Sequence, residues 1–208
     1  MDPSSDFWPD FPTGEHEVVL ADPPWGYWGR QDKWGAAAKF YDTAPDEALL
    51  GLPVRRLMKP KSVLFLWATS PRLDFAIDCI RAWGLHYRGV AFVWVKTRKD
   101  GEPIGAQGVR PSIVKPTAEY VLAASPVAKG RPLPLADEAA PNVVLAPRGA
   151  HSEKPEEVQA RIERLYPDAS RIELFARRRR DGWSAWGDQT DLGPQPARKA
   201  PRSDSAPA

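Results

Sequence analysis

With 208 residues, 42% of them hydrophobic, the chain has room for one α/β domain with a substantial core plus tails, while one cysteine, Cys79, and three scattered histidines exclude a disulfide framework and argue against a bound metal. No cationic start leads into an apolar stretch and no run approaches ~20 apolar residues, so the sequence predicts a cytoplasmic protein with no membrane partner. A net charge of +2 gives no global basic field, which leaves Arg177-Arg178-Arg179-Arg180 as a local cationic concentration.

In chain order, Met1 to Glu15 is rich in Pro and Asp and reads as an irregular, mobile arm. Glu17 to Ala21 reads as a strand, and a mostly loop-like stretch from Trp25 to Pro60 follows, with one short helix near Asp46 to Leu50. Its segment Gly26 to Asp42 carries Tyr27, Trp28, Trp34 and Tyr41 among glycines and polar residues, the composition expected of a lid. The continuous apolar run Ser62 to Ala68 predicts a strand buried on both faces, and with it a parallel sheet interior. Ser70 and Pro71 open a helix with Leu73, Ile77 and Ile80 on one face and Gly84 as its stop. Val90 to Val95, Glu119 to Ala124 and Asn142 to Leu145 read as further strands. Pro155 opens a second helix with Val158, Ile162 and Leu165 on one face, ended by Tyr166-Pro167, and a last strand runs from Arg171 to Ala176. Residues 16–189 thus form the predicted domain, and residues 190–208, rich in Pro, Ala, Ser and charge, form a disordered basic tail.

The tetrapeptide Asp22-Pro23-Pro24-Trp25 sits at the end of the first strand. Each proline fixes its own φ and restricts the residue before it, so the Asp22 carboxylate and the Pro23 carbonyl are held as preset acceptors beside the flat face of Trp25. An exocyclic amino group on a planar base needs acceptors for its two hydrogens and a π-face for its ring. Taken alone, the tetrapeptide reads better as a proline-rich turn with a buried tryptophan; the blocks that follow change that weighting. Ligands of open α/β sheets bind beyond the carboxyl ends of strands, where both Asp22 and Arg177 lie.

Asp22-Pro23-Pro24-Trp25, Phe40-Tyr41, Leu64 to Thr69, Trp94-Val95-Lys96-Thr97, Ser152-Glu153-Lys154-Pro155 and Arg171 to Arg177 occur in an order that resembles the N(6)-adenine methyltransferase family, from Val18 to Gln189. The resemblance implies a Rossmann-like methyltransferase sheet with helices on both faces and circularly permuted motif order. It implies methyl transfer from S-adenosylmethionine to the 6-amino group of adenine in DNA or RNA. By similarity, Asp22, Pro23, Pro24 and Trp25 form the catalytic motif. Asp22, Ser152, Lys154, Glu173, Phe175, Arg177, Asp188 and Gln189 contact the cofactor, with the positive end of the second helix and the Lys154 ammonium as a seat for its carboxylate. Trp25 and Tyr41 contact the base. The sequence departs from the pattern at Asp188, commonly Asn in relatives, and at Arg178 to Asp181, which lacks the His-Asn pair of the eukaryotic enzyme.

The remaining readings weigh chemistry against simpler roles. Trp67 reads as core, and His151 has no catalytic role. Glu173 reads as a buried carboxylate with a hydroxyl or guanidinium partner. Arg178, Arg179 and Arg180, with Arg198, Lys199 and Arg202 of the tail, read as phosphate contacts or as a solvated edge. The small net charge leaves room for a homodimer or a second subunit that adds basic surface. Two alternatives stay open: a non-catalytic nucleic-acid-binding partner subunit of the same fold, and a methyltransferase acting on a protein amide or small molecule, where Asn is usual in place of Asp22.

Overall fold

The computed structural model describes residues 8, 10–26, 44–105, 114, 116–149 and 153–187. Seven strands form one sheet: β1 (His16–Ala21), β2 (Met58–Thr69), β3 (His86–Thr97), β4 (Ala118–Ser125), β5 (Val143–Pro147), β6 (Arg171–Leu174) and β7 (Ser184–Trp186), in the spatial order β5-β3-β4-β2-β1-β6-β7. Helices α1 (Asp46–Leu50) and α2 (Leu73–Ala82) cover one face and α3 (Glu156–Leu165) the other. Strand β1 lies between β2 and β6 and parallel to both, and its Val18, Val19, Leu20 and Ala21 are each 1% exposed or less.

Alternation along β1 and β2 sorts their side chains into two cores. Val19, Ala21, Leu64 and Leu66 pack with Leu49, Cys79 and Ile80 on the α1 and α2 side, whereas Val18, Leu20, Phe65 and Trp67 pack with Val158 and Ile162 of α3. At about 1.5 to 3 kcal/mol for each large apolar side chain fully buried, these two layers are the principal stabilising term.

The sheet departs from a parallel interior at one strand. β4 is antiparallel to both β2 and β3, while β3 and β5 are parallel. A continuous apolar run reports burial on both faces; direction is set by the connection, and here β4 turns back beside β3 without a crossover. The antiparallel insertion matters for the site, because it brings the amino end of β4, and with it Glu119, to the edge where β1, β2, β3 and β6 end.

Three further elements differ from the sequence reading. The residues Ser70–Arg72 form a 3-10 turn and α2 starts at Leu73, with Ala76, Cys79 and Ile80 as its buried positions. β6 stops at Leu174 rather than Ala176, because Phe175 has φ 62, a left-handed backbone costly for a bulky residue. That bend delivers the Ala176 amide to the Trp186 carbonyl at 2.9 Å and redirects the chain toward Arg177. Gly187 packs there so closely that a Cβ on it would lie 2.3 Å from the Ala176 carbonyl oxygen. The described part of the amino-terminal arm is packed rather than loose: Trp8 donates its indole N–H to the Ala48 carbonyl at 2.9 Å and meets Phe175 and Trp186 edge-on, with Phe11 also against Trp186.

Candidate active site

The first strand ends at Ala21, and Asp22 follows with its amide 3.3 Å from the Leu174 carbonyl of β6, so the carboxylate is anchored between two parallel strands. The prolines then fold the motif back on itself: the Trp25 amide donates to the Pro23 carbonyl at 2.8 Å, and Pro24 accepts from Ala44 at 3.2 Å. The Pro23 oxygen therefore keeps one lone pair for a further donor.

Lys154, one residue before the Pro155 that caps α3, lies against Asp22 at 2.8 Å to Oδ1 and 2.9 Å to Oδ2. The same ammonium lies 3.5 Å from Glu119 Oε2 and 5.5 Å from the centre of the Trp67 ring. Glu119 in turn takes the Lys96 ammonium on Oε1 at 2.5 Å, and Lys96 sits 5.0 Å over the Trp94 ring. The result is an alternating row, Asp22, Lys154, Glu119, Lys96, laid across the ends of β1, β4 and β3. Burial by itself would push Lys154 down, but Asp22 and Glu119 overcome it and raise the ammonium above its ordinary value despite the opposing charge of Arg177. Burial would likewise raise Glu119, and Lys154 and Lys96 together hold it below the ordinary carboxylate range.

Glu173 lies on β6 beside this row. Burial first, and the Asp22 charge second, push its carboxyl up to about 7 against the pull of a 2.7 Å hydrogen bond from Gln159. Its deprotonation therefore works against the fold: the cost is absent below the ordinary carboxylate range, grows as pH rises, and is complete above about 7. Glu173→Gln is expected to melt above the parent at pH 8, with the gain gone by pH 5. Equal gains at both pH values in differential scanning fluorimetry would contradict this.

The predicted site residues divide into three groups. Asp22, Pro23, Pro24, Lys154, Glu173 and Phe175 lie together at the carboxyl edge of the sheet, with Arg177 near enough to Lys154 to affect its titration. Trp25 belongs to the motif but not to an open platform: it is 4% exposed, donates its indole N–H to the Trp67 carbonyl at 3.1 Å and meets Phe75 edge-on. A base-stacking role for Trp25 is thus corrected to a packing role, because the indole is committed to the core that holds the motif in place. Tyr41, Ser152, Asp188 and Gln189, the lid segment beyond Gly26 and the basic tail lie outside the described residues.

Two arginines of the cluster are ion-paired to α3. Arg178 pairs with Glu156 at 2.6 Å and Arg180 with Glu163 at 2.7 Å, both on α3, and Trp183 donates to the same Glu163 oxygen at 2.7 Å. Sequence reasoning passed over Glu119 and Lys96. Lys96 lies in the Trp94-Val95-Lys96-Thr97 block, but the partner that gives it meaning is 23 residues away across a hairpin. Among the described residues, no helix is long and apolar enough to cross a membrane.

The MT-A70 family model matches residues 16–189 of the chain. The type II methyltransferase M.MunI of a Mycoplasma species is 31% identical over 206 residues, covering 90% of this chain and 83% of that protein. The N(6)-adenosine-methyltransferase MT-A70-like protein of Drosophila melanogaster is 31% identical over 180 residues, and the human N(6)-adenosine-methyltransferase catalytic subunit METTL3 is 30% identical over 182. Each of these two alignments covers 86% of this chain but only 27% and 29% of the respective longer proteins. A strand-end Asp-Pro-Pro-Trp motif, a lysine held against its carboxylate, a sheet that brings both to one edge and a family match over nearly the whole described fold together make this chain a member of the MT-A70 family of methyltransferases.

Proposed function

We propose that the chain transfers a methyl group from S-adenosylmethionine to the exocyclic 6-amino group of adenine in a nucleic acid, with Asp22 as the acceptor that engages the reacting amino group. The observation that carries this reading is the Asp22 carboxylate, fixed at the end of β1 by two prolines and balanced by Lys154 at 2.8 Å. The names of the relatives, adenosine N(6)-methyltransferases and a type II methyltransferase, support the substrate class.

The donor set at the sheet edge fits the cofactor. Lys154 and Arg177 suit the carboxylate of its amino-acid tail, Asp22 suits the ammonium, and Glu173, charged or protonated near neutral pH, suits ribose hydroxyls as acceptor or donor. Gly187, with no room for a side chain, keeps the wall formed by Phe175 and Ala176 closed behind these groups. Bound, the cofactor supplies an electrophilic methyl group on a sulfonium that is already a good leaving group.

The protein's own task is to prepare the amino nitrogen. In adenine that lone pair is delocalised into the ring, and acceptors on both amino hydrogens favour the pyramidal nitrogen that can attack. Asp22 accepts one hydrogen, and the free lone pair of the Pro23 carbonyl accepts the other. Positive charge develops on the nitrogen as its new bond forms, so a fixed carboxylate there stabilises the transition state more than the ground state. Asp22 then holds the departing proton. Alignment of the two reactants in a partly desolvated pocket contributes up to ~7 to 11 kcal/mol in well-oriented cases. The base must be unpaired or flipped to reach the carboxylate.

Calorimetry with S-adenosylmethionine in the presence of chelator, followed by labelled methyl transfer to matched DNA and RNA oligonucleotides in single- and double-stranded form, tests the reading. Micromolar or tighter cofactor binding without added metal and label in adenine-containing strands are expected. Binding of nucleic acid with no cofactor affinity would instead favour a non-catalytic partner subunit. Nucleic-acid docking has its own test: Arg178→Gln with Arg179→Gln should weaken oligonucleotide binding and reduce the salt slope by ~0.7 to 0.9 for each phosphate no longer neutralised. Arg180→Gln should lower thermal stability instead, because its partners Glu163 and Trp183 tie the β6 exit to α3. Unchanged affinity and slope in the double variant would move the docking surface elsewhere.

A further inference from the structure

The geometry of the site poses a problem for its own mechanism. The Lys154 ammonium lies against both Asp22 oxygens, at 2.8 and 2.9 Å, so much of the charge an incoming amino group would meet is already drawn toward Lys154. Turning more of that charge toward the substrate means moving a buried ammonium away from a buried carboxylate, which is costly unless another anion receives it. Glu119 is that anion. Its Oε2 is 3.5 Å from the same ammonium, and its side chain is only 12% exposed. Glu119 is itself kept in place by Lys96, which grips the opposite oxygen, Oε1, at 2.5 Å and rests over Trp94. The geometry is directional: Lys96 occupies the outer oxygen and leaves the inner one facing Lys154.

We propose that Lys96 is a positioning residue for methyl transfer, acting through Glu119: the Lys96–Glu119 pair gives Lys154 a second carboxylate, so that Lys154 can shift toward it and leave Asp22 the stronger acceptor for the substrate amino group. Lys96 touches neither reactant, and the inference rests on the adenine-methylating function proposed for the site. The charged groups that face Glu119 are Lys96 from β3 and Lys154 from the segment before α3, with Asp22 beyond Lys154 and Arg177 opposing it. Without Lys96, burial acts on Glu119 with one cation fewer against it, so its carboxyl rises. Once protonated, Glu119 no longer offers Lys154 a charge.

The test compares Lys96→Met and Lys96→Arg with the parent in full pH profiles of kcat/KM, alongside calorimetric affinity for S-adenosylmethionine. Lys96→Met is expected to lose about tenfold in kcat/KM for the oligonucleotide at pH 6, to recover toward the parent by pH 8.5, and to keep cofactor affinity within about twofold; coupling of this size is ordinary for residues sharing one charge network. Lys96→Arg, which preserves the charge over Trp94, is expected to restore the parental profile. A loss in Lys96→Met that is uniform across pH, or one that Lys96→Arg fails to rescue, overturns the proposal, as does a parental profile in Lys96→Met. Should Lys96→Met fail to fold, Glu119→Gln carries the test: it removes the second carboxylate at every pH, so a loss of about tenfold or more without an acid limb supports the proposal and parental turnover overturns it. The parent's own methyl transfer reports on the proposed function, whereas the ratio of variant to parent reports on Lys96, so the two failures are distinguishable.

Discussion

Asp22→Ala is expected to lower methyl transfer by on the order of 10²- to 10³-fold, the range for removing one preset electrostatic group from a transition state. The fold should survive, because the residue lies past the end of β1 and its partner Lys154 keeps Glu119 within 3.5 Å. The loss should fall on kcat and kcat/KM together, as it does when an interaction belongs to the transition state rather than to substrate binding. Asp22→Asn, which keeps the volume and one acceptor oxygen but not the charge opposite Lys154, should lie between alanine variant and parent. Turnover in the alanine variant within a few-fold of the parent would remove Asp22 from the chemistry.

Lys154→Met is expected to be the most damaging single substitution to stability. It leaves Asp22 and Glu119 facing each other in a site where their side chains are 15% and 12% exposed, with Glu173 nearby. Removing one member of a buried charge pair costs about 3 to 5 kcal/mol, or roughly 6 to 20 °C in Tm for a domain of this size. The pH dependence has a definite sign. In the parent, Lys154 and Lys96 hold the Glu119 carboxyl low, so its contribution to stability is present above the ordinary carboxylate range and lost as pH falls through the lowered value. Without Lys154, burial acts on Glu119 with one cation fewer against it, so the deficit should be largest at pH 8 and shrink toward pH 5. A deficit under about 1 kcal/mol, or one of equal size at both pH values, would show that the row of charges is not coupled.

What the sequence made legible were features carried by neighbouring residues. The Asp-Pro-Pro-Trp motif, the apolar run of β2 and the proline-opened α3 are local, and each is found where its spacing places it. The Lys154–Asp22 pair spans 132 positions; the order of motif blocks assigned both residues to one site, but nothing in the sequence paired them with each other. Glu119 was invisible as a site residue because its position depends on the antiparallel insertion of β4, and a run of apolar residues does not encode strand direction. The ion pairs of Arg178 and Arg180 were not legible because their partners Glu156 and Glu163 lie on α3, ahead of the strand that brings them together. Trp25 read as a platform for a similar reason: composition shows that an indole is present but not that the Trp67 carbonyl and Phe75 already claim it.

The carboxylate at the end of β1 is expected to direct the methyl group to one particular nitrogen. The direct measurement is mass spectrometry of nucleosides released from an adenine-containing oligonucleotide after incubation with the protein and isotopically labelled S-adenosylmethionine, with Asp22→Ala run in parallel. The expected result is label in N(6)-methyladenine with the parent and its near absence with Asp22→Ala. Label on cytosine, on a ring nitrogen of adenine or on protein instead of nucleic acid, or equal N(6) labelling by parent and Asp22→Ala, would contradict it.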